Sequence, residues 1–571
     1  NAFQFAANIW GATLNSGPTI VVNAKWIPLQ CTANSATLGS AGTTTIHADF
    51  PGTGFPDTWY SASLTNALSG TDRNGSTPEI NAQFNVDLGK PECLANSFWY
   101  LGFDGAHGGG VDLVAVLLHE FAHGLGMQTF TSLSTGAPNG GTFTIYDRFL
   151  RDNSLGKLWI EMSNTERVAS AKNNGNLVWA GNNVTVSSPG VLGTPLLRIN
   201  SPTAATLSVG TADFGPSLSS PGVTANVIRA LDPADAAGAS TTDGCSPFTN
   251  AGQVNGNIAF IDRGNCNFID KVRNAQLAGA VGVIVGNVAS SPNPDFIQLM
   301  GSAGPPVLIS IPSVLLTLTD ANTLRTQLNS SIPNASIILD HSVMLGADAA
   351  NRVRMNAPTT LQVGSSVSHF DEIAYPNLLM EPNNSGDVSH SVAPPQDLTL
   401  SLFRDLGWTT GTSASSTVQF SAATFSTNEN VGSMTVNVTR TGDTTGAASV
   451  NYTTSDSAGS NTCNQITGAA SSRCDYIQTV GTLSFAAGET NKSILFPIVD
   501  DSYTEGAETF TITLSNPSGA TLGTSTATIT INDGGAESGV NPIDNATFFV
   551  RQHYIDFLNR EPDTDGLNFW T

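Results

Sequence analysis

His119 and His123 stand one helical turn apart with Glu120 between them, in the stretch VDLVAVLLHEFAHGLGM from Val111 to Met127. On an α-helix, residues i and i+4 share a face, so two imidazoles can hold one metal ion while the adjacent carboxylate reaches a water that the metal activates. That is the chemistry of hydrolytic zinc. The apolar run Val111, Leu113, Val114, Val116, Leu117 and Leu118 predicts a helix packed in the core, as a rigid metal platform requires. Gly124 and Gly126 are expected to end it. The competing reading is a buried helix whose histidines only satisfy hydrogen bonds in the core.

A catalytic zinc usually has three protein ligands and one open position, so a third donor decides between these readings. The chain has eight histidines, and Thr129 stands where a compact motif would place the third. Glu161 or Glu166, in WIEMSNTERVASA, would serve in a thermolysin-like site. The other source is the distant segment SHFDEIAYPNLLMEP (Ser368 to Pro382), which offers His369 followed by Met380. Taken together, the HExxH stretch and this segment resemble the leishmanolysin-like metzincins. The resemblance implies His119, His123 and His369 as zinc ligands, Glu120 as general acid/base, Gly126 as the turn glycine and Met380 as the Met-turn methionine. It also implies that TLSLFRDLGW (Thr399 to Trp408) is the closing helix. Met127 and Phe370 replace the Phe and Trp common in that family, and both remain large and apolar. The 246 positions between His123 and His369 exceed the family's usual insertion, so a folded unit must fill them.

The chain as a whole has 571 residues, enough for several domains, and 40% hydrophobic residues supply their cores. Only 12% are charged, while 56 Gly and 29 Pro favour β-rich, loop-rich extracellular modules. With 22 basic against 45 acidic residues the formal charge is −23, which argues against nucleic acid or an anionic membrane as partner and is compatible with calcium. No apolar run approaches the roughly 20 residues needed to span a bilayer. The six cysteines fall in three sequence-local couples, Cys31 with Cys93, Cys245 with Cys266, and Cys463 with Cys474, one of about fifteen pairings that six cysteines allow, and suggest structural disulfides in an oxidising compartment. The start at Asn1 suggests a processed or truncated secreted chain.

Around the metal helix, PEINAQFNVDL (Pro78 to Leu88) alternates apolar and polar positions and is a candidate edge strand for pairing with a bound peptide, or an ordinary solvent-facing strand. Asp147 in FTIYDRFL could orient a ligand histidine, but a structural role is the favoured reading there. The pattern then turns α/β. GNIAFIDRGNCNFIDKVRNAQLAGAVGVIVGN (Gly256 to Asn287) and PPVLISIPS (Pro305 to Ser313) resemble the protease-associated (PA) domain. The resemblance implies a non-catalytic module that modulates substrate access or binds peptide.

Beyond the linker TTGTSASS (Thr409 to Ser416), alternating strands with regular turns predict a β-sandwich. NENVG, FAAGET, VDDSYTEGAETF and TITINDG there resemble a Calx-beta domain. Glu429, Asp456, Asp475, Asp500, Asp501 and Asp533 lie near predicted strand ends and are candidate calcium ligands, with solvated acidic loops as the alternative. Phe548 to Leu558 is predicted to be an amphipathic helix, and YIDFLNREPDTDGLNFW (Tyr554 to Trp570) resembles the start of a bacterial helical domain of unknown function.

The expected architecture is multidomain α+β. A metzincin-like zinc protease domain occupies 1–200 and 341–410, an inserted α/β PA domain 201–340, an all-β Calx-beta sandwich 417–534, and a truncated helical segment 541–571. The expected function is a secreted zinc endopeptidase acting on proteins or peptides, with Zn2+ in the site and Ca2+ as a candidate ion in the sandwich. Attachment to a cell surface or matrix would run through the C-terminal modules. The alternative is a catalytically inactive surface adhesin or matrix-binding protein built from the same modules.

Overall fold

The computed structural model describes residues 1–304, 306–383, 385–410, 416–442, 444, 448–455, 468–472, 474–485, 489–500, 503–533, 546–547, 550–551, 554 and 567. The chain divides into two compact units, one holding nearly all of the residues up to Thr409 and the other the residues from Thr410 onward. Among the described residues no helix is long and apolar enough to cross a membrane.

In the first unit, the metal helix Leu113–Leu125 starts on Asp112, whose carboxylate accepts the Val114 N–H at 2.8 Å, and ends at Gly126, where φ is 130°. Gly124 does not end the helix as expected. It lies inside it because a Cβ there would come within 2.3 Å of Ile80, so it is a packing glycine. Ile80 belongs to the strand Ile80–Asn85, which pairs in parallel with Val22–Ile27 and antiparallel with Gly39–Thr43. The expectation of an edge strand at Pro78 to Leu88 is therefore corrected. That strand is the middle of its sheet, and its alternation reflects one face on the metal helix; the edges are Val22–Ile27 and Gly39–Thr43.

The N-terminal helix Ala2–Thr13 buries Ala2, Ala6 and Trp10 against the same core, and the Trp10 indole donates to the Leu118 carbonyl. Helix Thr399–Leu406 closes the unit from its other end, with Phe403 against Trp10 and the Trp408 indole donating to the Leu125 carbonyl.

A seven-stranded sheet fills the interval between the two halves of this core. Its order is Ala205–Ser208, Thr194–Ser201, Asn334–Asp340, Val223–Arg229, Ile258–Asp262, Gly282–Gly286, Ser313–Leu316. The last four strands run parallel, and the last three of them are buried almost throughout. The strand that leaves the parent unit pairs antiparallel with the strand that returns to it, with Thr194 opposite Asp340. The two ends of the insertion therefore lie side by side, and closing the parent loop costs little. The sheet begins at Thr194, slightly before the boundary expected at 201. Disulfides join Cys31 to Cys93 and Cys245 to Cys266.

The second unit is a sandwich. One sheet is ordered Asn491–Pro497, Ser433–Thr441, Thr417–Phe420, Thr521–Leu522; the other Thr424–Asn428, Thr526–Asn532, Ala507–Ser518, Ala448–Thr454, Val480–Phe485. Alternate residues such as Val436, Val438, Ile494, Phe496, Phe510 and Ile512 fill the space between them. Cys474 is disulfide-bonded, while Cys463 lies outside the described residues. Most of the expected segment 541–571, including most of the helix from Phe548 to Leu558, also lies outside them.

Candidate metal centre

The metal helix carries His119 and His123 on one face, and the segment beyond the insertion brings His369 to meet them. The Nε2 atoms of His119 and His369 are 3.0 Å apart, and each lies 3.2 Å or less from that of His123. All three Nδ1 atoms face backbone carbonyls: His119 that of Leu379 at 2.7 Å, His123 that of Met127 at 2.7 Å, His369 that of Ser365 at 2.9 Å. A carbonyl only accepts, so each Nδ1 carries the proton and each Nε2 turns a lone pair inward. Burial pushes His119 down to about 3 and lowers His123 and His369 as well, which keeps the rings neutral.

Three neutral rings with converging lone pairs repel one another unless a cation sits between them. Zinc–nitrogen bonds of about 2.0–2.1 Å at tetrahedral angles put the nitrogens about 3.3 Å apart, close to the spacing found. The donor set is that of a zinc site with a fourth position left open.

Glu120 projects beside the rings toward the edge strand. It accepts the Ala41 N–H, and burial pushes its carboxyl up to about 8. Gly39 makes room for it, since a Cβ there would stand 2.7 Å from the Glu120 Cγ.

Met380 is fully buried, and its carbonyl accepts the Phe370 N–H at 2.8 Å. The turn that contains it is held by two buried carboxylates, Asp397 accepting from the Leu379 N–H at 2.7 Å and Glu381 from the Leu378 N–H at 2.8 Å. Burial raises both of these acids.

Glu161 and Glu166 do not join the histidines. Glu161 accepts the Leu158 N–H in its own short turn, and Glu166 is bound by Lys157 and Ser163, chiefly the Lys157 ammonium holding it down to about 2. Asp147 touches no ligand ring and takes the structural role rather than the orienting one. It binds Thr129, Thr131 and the Thr144 N–H, because main-chain carbonyls already occupy all three Nδ1 positions.

Several positioning groups escaped sequence reading: the carbonyls of Leu379, Met127 and Ser365, Gly39, and Asp397. Of these only Asp397 carried a signal, as an acid two residues before a helix start. Asp112 also binds His390 at 2.8 Å, tying the loop after Met380 to the start of the metal helix.

In the sandwich, Glu429 and Asp475 come together with Glu505, and their carboxylate oxygens lie within 4.8 Å of one another. Asp533 stands behind this group, accepting the N–H of Glu505 and of Gly506. Asp500 is exposed and outside the group, which corrects its expected place among the ligands; it lies in the irregular chain beyond the strand Asn491–Pro497 and is turned to solvent. Asp456 and Asp501 lie outside the described residues. Glu505 was missed, although it lies in the quoted stretch VDDSYTEGAETF.

Comparison with known proteins identifies two modules. The Calx-beta domain family matches residues 412–535, and the PA domain family matches 223–324. The chain is 36% identical over 113 residues to human ER degradation-enhancing alpha-mannosidase-like protein 3, covering 19% of this chain and 11% of that protein. It is 46% identical over 65 residues to an aminopeptidase of Pseudomonas aeruginosa strain UCBPP-PA14, covering 11% of this chain and 12% of that one. The chain thus spans only about a tenth of the length of these relatives. Among solved structures, the apo-form Calx CBD1 domain is 31% identical with a TM-score of 0.18, covering 21% of this chain and 97% of that one. Both family matches leave His119, His123 and His369 outside their spans.

Proposed function

We propose that the chain is a zinc endopeptidase of the leishmanolysin-like metzincin type that hydrolyses peptide bonds in proteins. The observation that carries this reading is the meeting of the His119, His123 and His369 Nε2 atoms at 3.0–3.2 Å, with Glu120 beside them. Zinc held by the three imidazoles supplies a Lewis acid that polarises a scissile carbonyl and acidifies water.

This chain's residues do the rest. Glu120 takes the proton from the attacking water and delivers it to the leaving amine, for which a carboxyl raised by burial suits both roles. The carbonyls of Leu379, Met127 and Ser365 fix the tautomers, so the rings meet the metal without rearranging. The edge strand Gly39–Thr43 runs beside Glu120, which accepts its Ala41 N–H, and an extended substrate could pair along its outer side. Met380 contributes no chemistry and packs the turn that carries Leu379. Such a substrate is a protein or peptide.

Zinc content, and casein hydrolysis with and without a chelator, test the proposal. Glu120→Gln should keep about one zinc and lose turnover; hydrolysis retained by the metal-loaded variant would overturn the role of Glu120.

We further infer that the Calx-beta domain binds calcium through Glu429, Asp475 and Glu505, hard oxygen donors that are buried together. The disulfides Cys31–Cys93 and Cys245–Cys266 support an extracellular location.

A further inference from the structure

A cavity of about 500 Å³ opens where the inserted PA domain meets the parent unit, away from the three histidines. Its apolar walls come from both sides, with Phe103 and Val388 on the parent unit and Phe214, Leu218, Leu308 and Leu339 on the insertion. The size and mixed lining are those of ligand sites.

Its lining carries two carboxylates. Asp387 is buried in its lining and Asp104 is exposed in it, and no Lys or Arg lines it among the described residues. The Asp387 carboxylate receives only neutral donors, the Asn377 amide at 2.6 Å and the Ser217 hydroxyl at 3.3 Å. Asp104 accepts from the Tyr100 hydroxyl and the Ala106 N–H. The histidines in the lining are committed elsewhere: His107 to the carbonyls of Gly110 and Gly386, His341 to that of Leu192, His390 to Asp112. The Asp387 carboxylate has no cationic partner among the described residues, in a setting where a charge-assisted bond is strong.

We propose that this cavity binds a lysine- or arginine-bearing, apolar-flanked segment of a polypeptide, with Asp387 receiving the cationic group and Asp104 steering it inward. That the ligand is a polypeptide rests on the peptidase reading; the selectivity for a cation rests on the cavity alone. The site also touches the metal centre through the chain, because Pro376 and Asn377 in its lining lead directly to Leu379 and Met380.

The test uses the full chain loaded with zinc and carrying Glu120→Gln, so that nothing is cleaved. The probes are a fluorescein-labelled peptide of alternating leucine and lysine and its counterpart with acetylated lysines, followed by anisotropy at pH 8 and physiological salt. The lysine peptide should bind more tightly than the acetylated one. Asp387→Asn should weaken it by about tenfold, the scale of one charge-assisted hydrogen bond. Glu92→Gln, which removes an equal charge from an exposed position, should leave affinity unchanged. Leu308→Trp fills the cavity without altering charge and should weaken binding as much as Asp387→Asn; it decides the matter alone if the Asp387 variant misfolds. Equal binding of the two peptides, or full affinity in Leu308→Trp, overturns the proposal. Binding in the cavity by a native zinc enzyme that cleaves no peptide would overturn the peptidase reading and leave the cation site standing.

Discussion

The Leu379 carbonyl accepts the Nδ1–H of His119 at 2.7 Å, so the residue just before Met380 fixes the ring of a ligand 260 positions earlier in the chain. Asp397 in turn fixes Leu379 by accepting its N–H at 2.7 Å. The metal geometry is therefore over-determined by groups that never touch the metal.

Asp397→Ala should loosen this support while leaving all three ligands in place. The expected outcome is a loss of zinc affinity of about 10–100-fold, the usual effect of removing an outer support of a ligand. Titration against a competing chelator measures it, and an unchanged affinity would remove Asp397 from the account.

Gly39→Ala tests the slot that holds Glu120. A methyl group 2.7 Å from the Glu120 Cγ must displace that carboxylate from its place beside the edge strand. Turnover should fall by about a hundredfold, as misplacement of about 1 Å does, with zinc content intact. A fall in zinc in proportion to activity would show instead that the metal helix itself had moved.

His369→Ala and Glu166→Gln separate the two sources of a third ligand. The first should lower zinc occupancy and abolish hydrolysis, and the second should leave both unchanged, because Glu166 is engaged by Lys157 and Ser163. The reverse pattern would restore the thermolysin-like reading. Metal analysis of the two variants is sufficient.

Legibility in the sequence followed the range of the interactions involved. His119, Glu120 and His123 were readable because helical periodicity alone puts them on one face. His369 was reached through a resemblance, and nothing in local spacing could show that its ring meets the other two. The parallel strands Ile258–Asp262 and Gly282–Gly286 lie in the stretch Gly256 to Asn287, which was legible through its resemblance to the PA domain. Ile80–Asn85 was misplaced as an edge because alternation reports which face is buried and says nothing of how many neighbours a strand has. Gly124 was misread for a similar reason: a packing glycine and a capping glycine look alike until the opposing Ile80 is known. Asp147 drew notice as an acid among aromatics, yet its partners are three nearby threonines. Glu505 was passed over in an acidic stretch where only the sandwich folding selects which carboxylates turn inward.

Asp387 should leave a mark on stability as well as on binding. Burial pushes its carboxyl up to about 6, whereas an unfolded aspartate titrates near pH 3.9. The native state thus holds more protons between those values, and the contribution of this group to stability declines as pH rises through that window. Relative to Asp387→Asn, the native chain should lose about 2.4 kcal/mol of unfolding free energy between pH 4 and pH 8, at about 1.4 kcal/mol per pH unit across the window, less what is already lost by pH 4. Denaturation of both proteins at the two pH values checks this, and a pH-independent difference would contradict it.

In the sandwich, calcium should raise the melting temperature of the second unit, and Glu505→Gln should remove most of that gain by taking one anionic donor from the cluster with Glu429 and Asp475. Calorimetry with calcium or with chelator reads it. An equal shift in the variant would place the ion elsewhere.

The meeting of three imidazoles from the two sides of an inserted domain is tested most directly by X-ray absorption at the zinc edge of the purified chain. The account expects three nitrogen scatterers with imidazole signatures at about 2.0–2.1 Å plus one further light ligand, falling to two imidazoles in His369→Ala. Sulfur in the coordination shell, or a native spectrum unchanged by loss of His369, would contradict it.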